Sequence, residues 1–430
     1  MIRKLKTLAA EGKSIRVGIV GCGAMGSGVA WQVSRTPGME LVFLGDLNES
    51  AMTETVRQAG LSELQVGAPG NLPARAGGQV WTTTDTLAML KATRIDALVE
   101  CTNSIHEALH YCLAAIDQGT HVVLMNAEVD LAFGPLMAHE ARKKGVVVTS
   151  DAGDQHGVLA TMADEIQLWG FRIVQAGNMK GFLDRHADAE HARPWAEKQK
   201  GSVIQTVSYT DGSKMNIEQA IIGNYLGLTP IKPGMEGPRC ADIRDVLDVF
   251  DFDKYGEQGR VDYTEGVNWP GGGVYIVGYC DDDKQDFLLN YYKVTARRPY
   301  YLFFRPYHLC HIETVRAIAQ CHFDGRAVIA PPARRLNDVY AYAKKDLKPG
   351  DIIHHAIGGD EVYALVDEAA RAEADNQVPV YWLEAIDGQT ATVIKAVAKD
   401  CPVRFTDLAI PATPYHAMLG RQLELALTMK

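Results

Sequence analysis

At 430 residues, 47% of them hydrophobic and 22% charged, the chain can bury a full core and has length for about two to three domains. Its formal net charge of -10, with no block of Lys and Arg, argues against a nucleic-acid backbone or an anionic membrane as partner. No apolar run nears the roughly 18 to 20 residues that cross a bilayer, and the opening MIRKLKTLAAEGKSIR lacks the apolar stretch of a secretory signal, so a cytoplasmic protein with no membrane role is expected.

Residues 15–20, IRVGIV, form a β-branched run of the kind buried in a parallel strand, and GCGAMGSGVAWQVSR follows as a glycine turn opening into a helix. A second strand, MELVFLGD, ends at Asp46. IDALVE (95–100), a helix over 104–118, HVVLMN (121–126), a helix through Lys144 and GVVVTS (145–150) come next. Strands alternating with helices at this spacing predict an α/β Rossmann domain, a doubly wound parallel sheet, over residues 1–152. From Asp151 the texture changes to mixed helical and β-branched segments, which predicts an α+β substrate domain with one broad sheet over 153–300. NWPGGGVYIVG (268–278) sets three glycines ahead of a strand and is expected to be a flexible loop over a cleft. Asp281, Asp282 and Asp283 read as a solvated turn rather than a metal site. RAVIAPPARRL (326–336) reads as a linker, because Pro331 and Pro332 end regular structure. Beyond it, short strands punctuated by glycine and proline predict a small β-rich domain over 330–430. The eight cysteines include no CxxC pair, and several sit in apolar segments (Cys22, Cys101, Cys112), so reduced thiols and no disulfide framework are expected.

Gly21, Gly23 and Gly26, with Cys22, Ala24 and Met25 between them, stand between a buried strand and a helix, where a dinucleotide pyrophosphate is bound. Gly21 suits the tight turn, Gly23 the approach of the phosphates and Gly26 the packing of helix on strand. Asp46, twenty positions past Gly26, would accept hydrogen bonds from the adenosine ribose and repel a 2′-phosphate, which favours NAD over NADP. Its alternative is to cap the next helix. Thr102, Asn103, Asn126 and Glu128 fall at carboxyl ends of strands and are candidates to border the nicotinamide, while Asn103, Ser104 and Asn126 would equally serve as helix N-caps. In TSDAGDQHG, Asp151, Asp154, Gln155 and His156 stand at the passage between domains; Asp154 and Gln155 are candidate substrate contacts, with a capped hinge as the alternative.

A second cluster follows in GNMKGFLDR and TDGSKMNIE. Lys180, Asp211, Lys214, Asn216 and Glu218 are candidate catalytic residues, and Asn178 and Arg185 candidate substrate contacts. Lysines beside carboxylates can polarise a carbonyl, move a hydroxyl proton and hold an anionic substrate. The alternative is a solvated loop with a surface ion pair. His308, Cys310, His311 and Glu313 have the wrong spacing for a structural zinc and are expected to begin a helix, with His311 near the cofactor. His354 and His355 read as structural or exposed.

VGIVGCGAMG, MNAEVDLAFGP, GDQHG, GNMKGFLDR and TDGSKMNIE, closed by AYAKKDLKPGDIIHHAIGG, together resemble the homoserine-dehydrogenase-like NAD(P)-dependent oxidoreductases that end in a SAF domain of the β-clip type. One branch of that family is the 1-deoxy-D-xylulose 5-phosphate reductoisomerase-like enzymes. The resemblance implies a Rossmann domain completed near residues 300–325, a central catalytic and dimerisation domain, a SAF unit, and a homodimer or higher oligomer. It also implies a cleft lined by Lys180, Asp211, Lys214, Asn216 and Glu218. Homoserine dehydrogenases usually carry an Asn-Lys pair where this chain has Asn126, Ala127 and Glu128, a departure that weakens homoserine as the substrate. The reductoisomerase-like branch implies NADPH, against the reading of Asp46. The expected activity is hydride transfer to or from the CH–OH carbon of a small polyol, keto-sugar or sugar phosphate, with a divalent metal if rearrangement precedes reduction. An amino-acid semialdehyde as substrate, or a non-catalytic nicotinamide sensor or scaffold, are the alternatives.

Overall fold

A computed structural model describes residues 1–67, 72–199, 201–267 and 272–428. The chain forms two compact units, one of Met1–Gly157, Leu309–Ala333 and Arg421–Lys430, the other of Val158–His308 and Arg334–Gly420.

In the first unit, β1 (Ile15–Val20), β2 (Met39–Gly45), β3 (Ser62–Gln65), β4 (Gln79–Thr83), β5 (Ala97–Glu100), β6 (His121–Leu124) and β7 (Val148–Ser150) form one sheet in the order β3-β4-β2-β1-β5-β6-β7. Every pairing is parallel. Successive residues of β5 are all buried, as a strand covered by helices on both faces requires. The chain steps outward from β1 to β2, then returns to β5 on the other side, so β1 and β5 flank the point where strand order reverses and where such sheets bind ligands. This is the doubly wound sheet expected from the sequence. Four boundaries differ: β2 stops at Gly45, one residue before Asp46, β5 starts at Ala97, β6 stops at Leu124, and β7 starts only at Val148. Gly145, with φ +68°, closes the Ala127–Lys144 helix instead of opening a strand. β3 and β4 carry short, mixed sequences that give no clear strand pattern.

Two later segments complete this unit. The Cys310–Asp324 helix packs on the Ala24–Arg35 helix, and the helix start expected near His308 falls at Cys310. Gln422 repairs a defect in the Ala127–Lys144 helix. Pro135 has no N–H and its ring crowds the preceding turn. The Gln422 side-chain amide inserts there, its oxygen accepting from Leu136 N at 3.1 Å and its nitrogen donating to Ala132 O at 2.7 Å. One side chain thereby takes both halves of a backbone bond that an unbroken helix would make internally.

In the second unit, β8 (Arg172–Lys180), β9 (Arg260–Glu265), β10 (Val274–Tyr279), β11 (Thr295–Arg297) and β12 (Tyr300–Arg305) form a sheet in the order β11-β12-β10-β8-β9, with only β8 and β9 parallel. Val174, Met179, Tyr275, Val277 and Leu302 pack from this sheet against Cys240, Val246, Phe250 and Phe252. The Ser213–Leu226 helix packs on β8 and β9. The glycine-rich loop read at 268–278 has residues 268–271 outside the described residues; its far end is β10. The three aspartates are exposed and lead into a helix: Asp282 N-caps the Asp283–Tyr291 helix, and Asp281 and Asp283 pair with Arg298.

β13 (Asn337–Ala343) pairs antiparallel with β15 (Val362–Glu368), and β14 (Ile352–Ile353), β16 (Ala391–Val393) and β17 (Leu408–Ala409) form a small sheet. The C-terminal residues are thus β-rich as expected, but Arg334–Gly420 cluster with the central residues in one compact unit. The reason is specific bonding: Ala364 N donates to Ser213 Oγ and Val366 N to Asn216 Oδ1, each at 2.9 Å, and Gly234 N donates to Val366 O at 2.8 Å. His354 and His355 are exposed. The eight cysteines are all free thiols. Among the described residues no helix is long and apolar enough to cross a membrane.

Candidate functional site

The glycine turn follows β1 directly. Gly21 has φ +89°, and a Cβ there would lie 2.7 Å from the Cys101 carbonyl carbon, so glycine is required by both conformation and space. A Cβ on Gly26 would run into the Gly21 carbonyl oxygen, which is why the helix can sit so close to the strand. Gly23 is different. Its φ is -68°, and a Cβ would meet nothing within 4 Å. It is the N-cap of the Ala24–Arg35 helix, makes no side-chain cap, and no acidic residue stands in the first turn. The first amides and the positive end of the helix dipole therefore face open space beside exposed Ala24 and Met25, as a bound pyrophosphate requires. Gly21, Cys22, Gly23, Ala24, Met25 and Gly26 fit a dinucleotide. Cys22 itself is buried, and burial, with Asp46 nearby, pushes its thiol up to about 12, so it stays protonated at neutral pH.

Asp46 is half-buried just past β2. One carboxylate oxygen accepts from Cys22 N at 2.5 Å and the other from Asn48 N at 2.8 Å. It pins the glycine turn and leaves the capping of the Glu49–Ala59 helix to Asn48. Of the two sequence readings, the helix cap is set aside, since Asn48 fills that place.

The other candidates at the sheet's carboxyl edge divide. Asn126 is buried, caps the Ala127–Lys144 helix by accepting from Val129 N at 3.1 Å, and donates to Ser104 O at 3.2 Å. Ser104, not Asn103, caps the Ile105–Asp117 helix, and Asn103 is exposed. Thr102 donates its N–H to Glu100 Oε1 at 2.8 Å, and Glu128 is half-buried in the first turn of its helix. Glu100 is a residue that the sequence reading passed over. It ends β5 beside the switch point with no solvent exposure, and burial raises its carboxyl to about 8. A carboxylate closing an otherwise apolar strand, ALVE, was the available signal. Asp151 accepts from Gly153 N at 2.7 Å and Asp154 N at 2.8 Å, and Asp154 from Gln155 N at 2.9 Å. Asp154, Gln155 and His156 are all buried, so this segment is a tightly bonded turn leading into the Gln155–Leu168 helix.

In the second unit, Asn178 on β8 links two residues of the Ser213–Leu226 helix. Its Nδ2 donates to Glu218 Oε2 at 3.2 Å and its Oδ1 accepts from Gln219 Nε2 at 2.9 Å, and all three are buried. Lys180 ends the same strand and Lys214 opens the same helix; both are half-buried, and Lys214 Nζ lies 5.2 Å from the Tyr209 ring centroid. Asn178, Lys180, Lys214 and Glu218 thus belong to one strand and one helix packed on it, and carry the donor and acceptor types that can hold a hydroxyl or carbonyl oxygen and exchange its proton.

Asp211 and Asn216 serve that helix. Asp211 accepts from Ser213 N at 2.8 Å and pairs with Lys344 Nζ at 2.8 Å, where both side chains are almost wholly buried. Burial raises the Asp211 carboxyl and Lys344 opposes the rise. Lys344 also donates to Ala187 O and Gly359 O, each at 2.7 Å, so its ammonium is fully used. Asn216 accepts from Val366 N and donates to Gly212 O at 2.8 Å. Arg185 is exposed, with its charge near the Tyr263 hydroxyl. Lys344 went unread because nothing local in AYAKK marks a partner so far away in sequence.

Residues 21–149 match the family model of the homoserine dehydrogenase NAD-binding domain, and residues 153–314 match that of the catalytic domain of oxidoreductase DRL. No curated protein sequence matches the chain. Among solved structures, a protein described as a myo-inositol dehydrogenase of Sinorhizobium meliloti 1021 is similar at 12% identity and TM-score 0.41, over 74% of this chain and 92% of that one. 1-Deoxy-D-xylulose 5-phosphate reductoisomerase from Zymomonas mobilis, in complex with NADPH, is similar at 16% identity and TM-score 0.35, over 48% of this chain and 57% of that one. Dipicolinate-bound dihydrodipicolinate reductase from Paenisporosarcina sp. TG-14 is similar at 14% identity and TM-score 0.35, over 72% and 94%. Likeness this distant says nothing about activity.

Proposed function

We propose, from the premise that an NAD-binding domain and an oxidoreductase catalytic domain share this chain, that it transfers hydride between a nicotinamide dinucleotide and the CH–OH or carbonyl carbon of a small polyol, keto-sugar or sugar phosphate. When bound, the dinucleotide supplies or accepts the hydride. The chain's own part is to seat the pyrophosphate on the open amides after Gly23, to place Asp46 at the ribose, and to hold the reacting oxygen and its proton with Lys180, Lys214 and Glu218. The observation that carries the reading is the uncapped, acid-free helix N-terminus behind Gly23, at the reversal of strand order and within the segment matched as NAD-binding.

The reductoisomerase-like reading, with 1-deoxy-D-xylulose 5-phosphate as substrate, is favoured within this class by the match of residues 153–314 and by the resemblance carried by GNMKGFLDR and TDGSKMNIE. A ketose phosphate would draw on Lys180, Lys214 and Arg185 for its charge. The test is titration with NADH and NADPH followed by nicotinamide fluorescence, then consumption of the bound cofactor with that ketose phosphate, with aspartate semialdehyde, and with and without Mg²⁺. Turnover on the ketose phosphate alone supports the branch, turnover on the semialdehyde replaces it with the homoserine reading, and binding without turnover on any substrate supports the sensor.

A further inference from the structure

The Cys310–Asp324 helix begins against the dinucleotide-binding helix, and its entry is fixed by two glycines. A Cβ on Gly28 would lie 2.6 Å from His311 Cγ, so the imidazole lies directly on the helix backbone. A Cβ on Gly153, just past β7, would lie 2.6 Å from Leu309 O, so residues 309–311 are threaded between the glycine helix and the carboxyl edge of the sheet. Ala24 precedes Gly28 by four residues on the same helix face, a rise of about 6 Å, so His311 packs about one turn along the helix from the open N-terminal amides. His311 is half-buried, and among the described residues neither ring nitrogen has a hydrogen-bond partner. Burial lowers its pKa, so the ring is neutral at pH 7 and carries one N–H donor and one acceptor.

We propose that His311 is a contact residue for the dinucleotide, donating its ring N–H to the pyrophosphate from the helix face that Gly28 clears. This rests on the dinucleotide reading above. It gives the returning helix a binding role, and it supplies a side-chain donor to a phosphate site that is otherwise built from backbone amides.

The test is the dissociation constant of NADH, NADPH and ADP-ribose for the wild type, His311→Ala and His311→Gln, read by calorimetry, alongside the melting temperature without ligand. Loss of one hydrogen bond to a charged group predicts about tenfold weaker binding of all three ligands to His311→Ala. His311→Gln, which keeps a donor, should recover most of the loss, and the ligand-free melting temperature should stay within about two degrees. Unchanged affinity in His311→Ala would overturn the proposal, as would a loss that His311→Gln does not recover. A loss confined to NADH and NADPH would move the contact off the pyrophosphate and overturn it in that form. If the wild type binds no dinucleotide, the dinucleotide reading itself fails and the proposal falls with it.

Discussion

Lys344 Nζ and Asp211 Oδ2 stand 2.8 Å apart with 3% and 0% side-chain exposure, an ion pair that ties a residue following β13 to the turn before the Ser213–Leu226 helix. Removing one member of such a pair strands the other charge in a dry environment. Lys344→Met should destabilise the protein by about 3 to 5 kcal/mol, measured by urea denaturation near neutral pH. Because much of that loss is the stranded carboxylate, the double variant Lys344→Met with Asp211→Asn should be more stable than Lys344→Met alone. Equal stability of the two would show that the lysine acts only through Ala187 O and Gly359 O.

Gly23 and Gly26 should separate binding from folding. A side chain at Gly23 enters open space with an ordinary φ, so Gly23→Val should fold with a melting temperature close to that of the wild type and lose dinucleotide binding by at least about a hundredfold. Gly26→Ala should instead lower the melting temperature, because its Cβ meets the Gly21 carbonyl. Thermal melts and fluorescence titration of the two variants check this.

Asp46 puts a carboxylate at the end of β2 while bonded to Cys22 N. NADH should therefore bind more tightly than NADPH, and Asp46→Ala should narrow the gap by weakening NADH and relieving repulsion of the 2′-phosphate. A wild-type preference for NADPH would show that the half-buried carboxylate does not face the ribose.

Two buried carboxyls set a pH dependence. Burial raises Glu100 from 4.5 to about 8 and Asp262 from 3.8 to about 7. Both are raised in the fold, so across this window the folded state keeps protons that the unfolded chain has released, and stability falls as pH rises. The contribution of these two carboxyls should be fullest below about pH 4, decline up to about pH 8, and level off above. Glu100→Gln should flatten the upper part of the decline and be stabilising at pH 8 relative to pH 5, measured by denaturation at both values.

The sheet was legible in the sequence because VGIV (17–20) and ALV (97–99) are buried throughout and read as short apolar runs, and because the glycine spacing falls between a strand and a helix. What escaped was whatever depends on partners distant in sequence. Asp211 and Asn216 look catalytic in TDGSKMNIE because their types and spacing suit chemistry, yet their side chains are taken up by Lys344, Val366 and the turn at Gly212. Local pattern cannot distinguish a polar residue that faces a substrate from one that fastens two segments. The same limit hid the packing of β13 and β15 on the Ser213–Leu226 helix, since glycine and proline punctuation signals strands without saying what they lie against.

Gln422 carries a consequence for how the protein is made. The Rossmann sheet is encoded in the first third of the chain, but the break at Pro135 in one of its helices is closed by an amide that leaves the ribosome only after the whole second unit has been synthesised. Through most of translation that helix carries an open seam, exposing Leu136 N and Ala132 O to water or to a chaperone. Completion of the nucleotide-binding unit is therefore postponed until the rest of the enzyme is already in place.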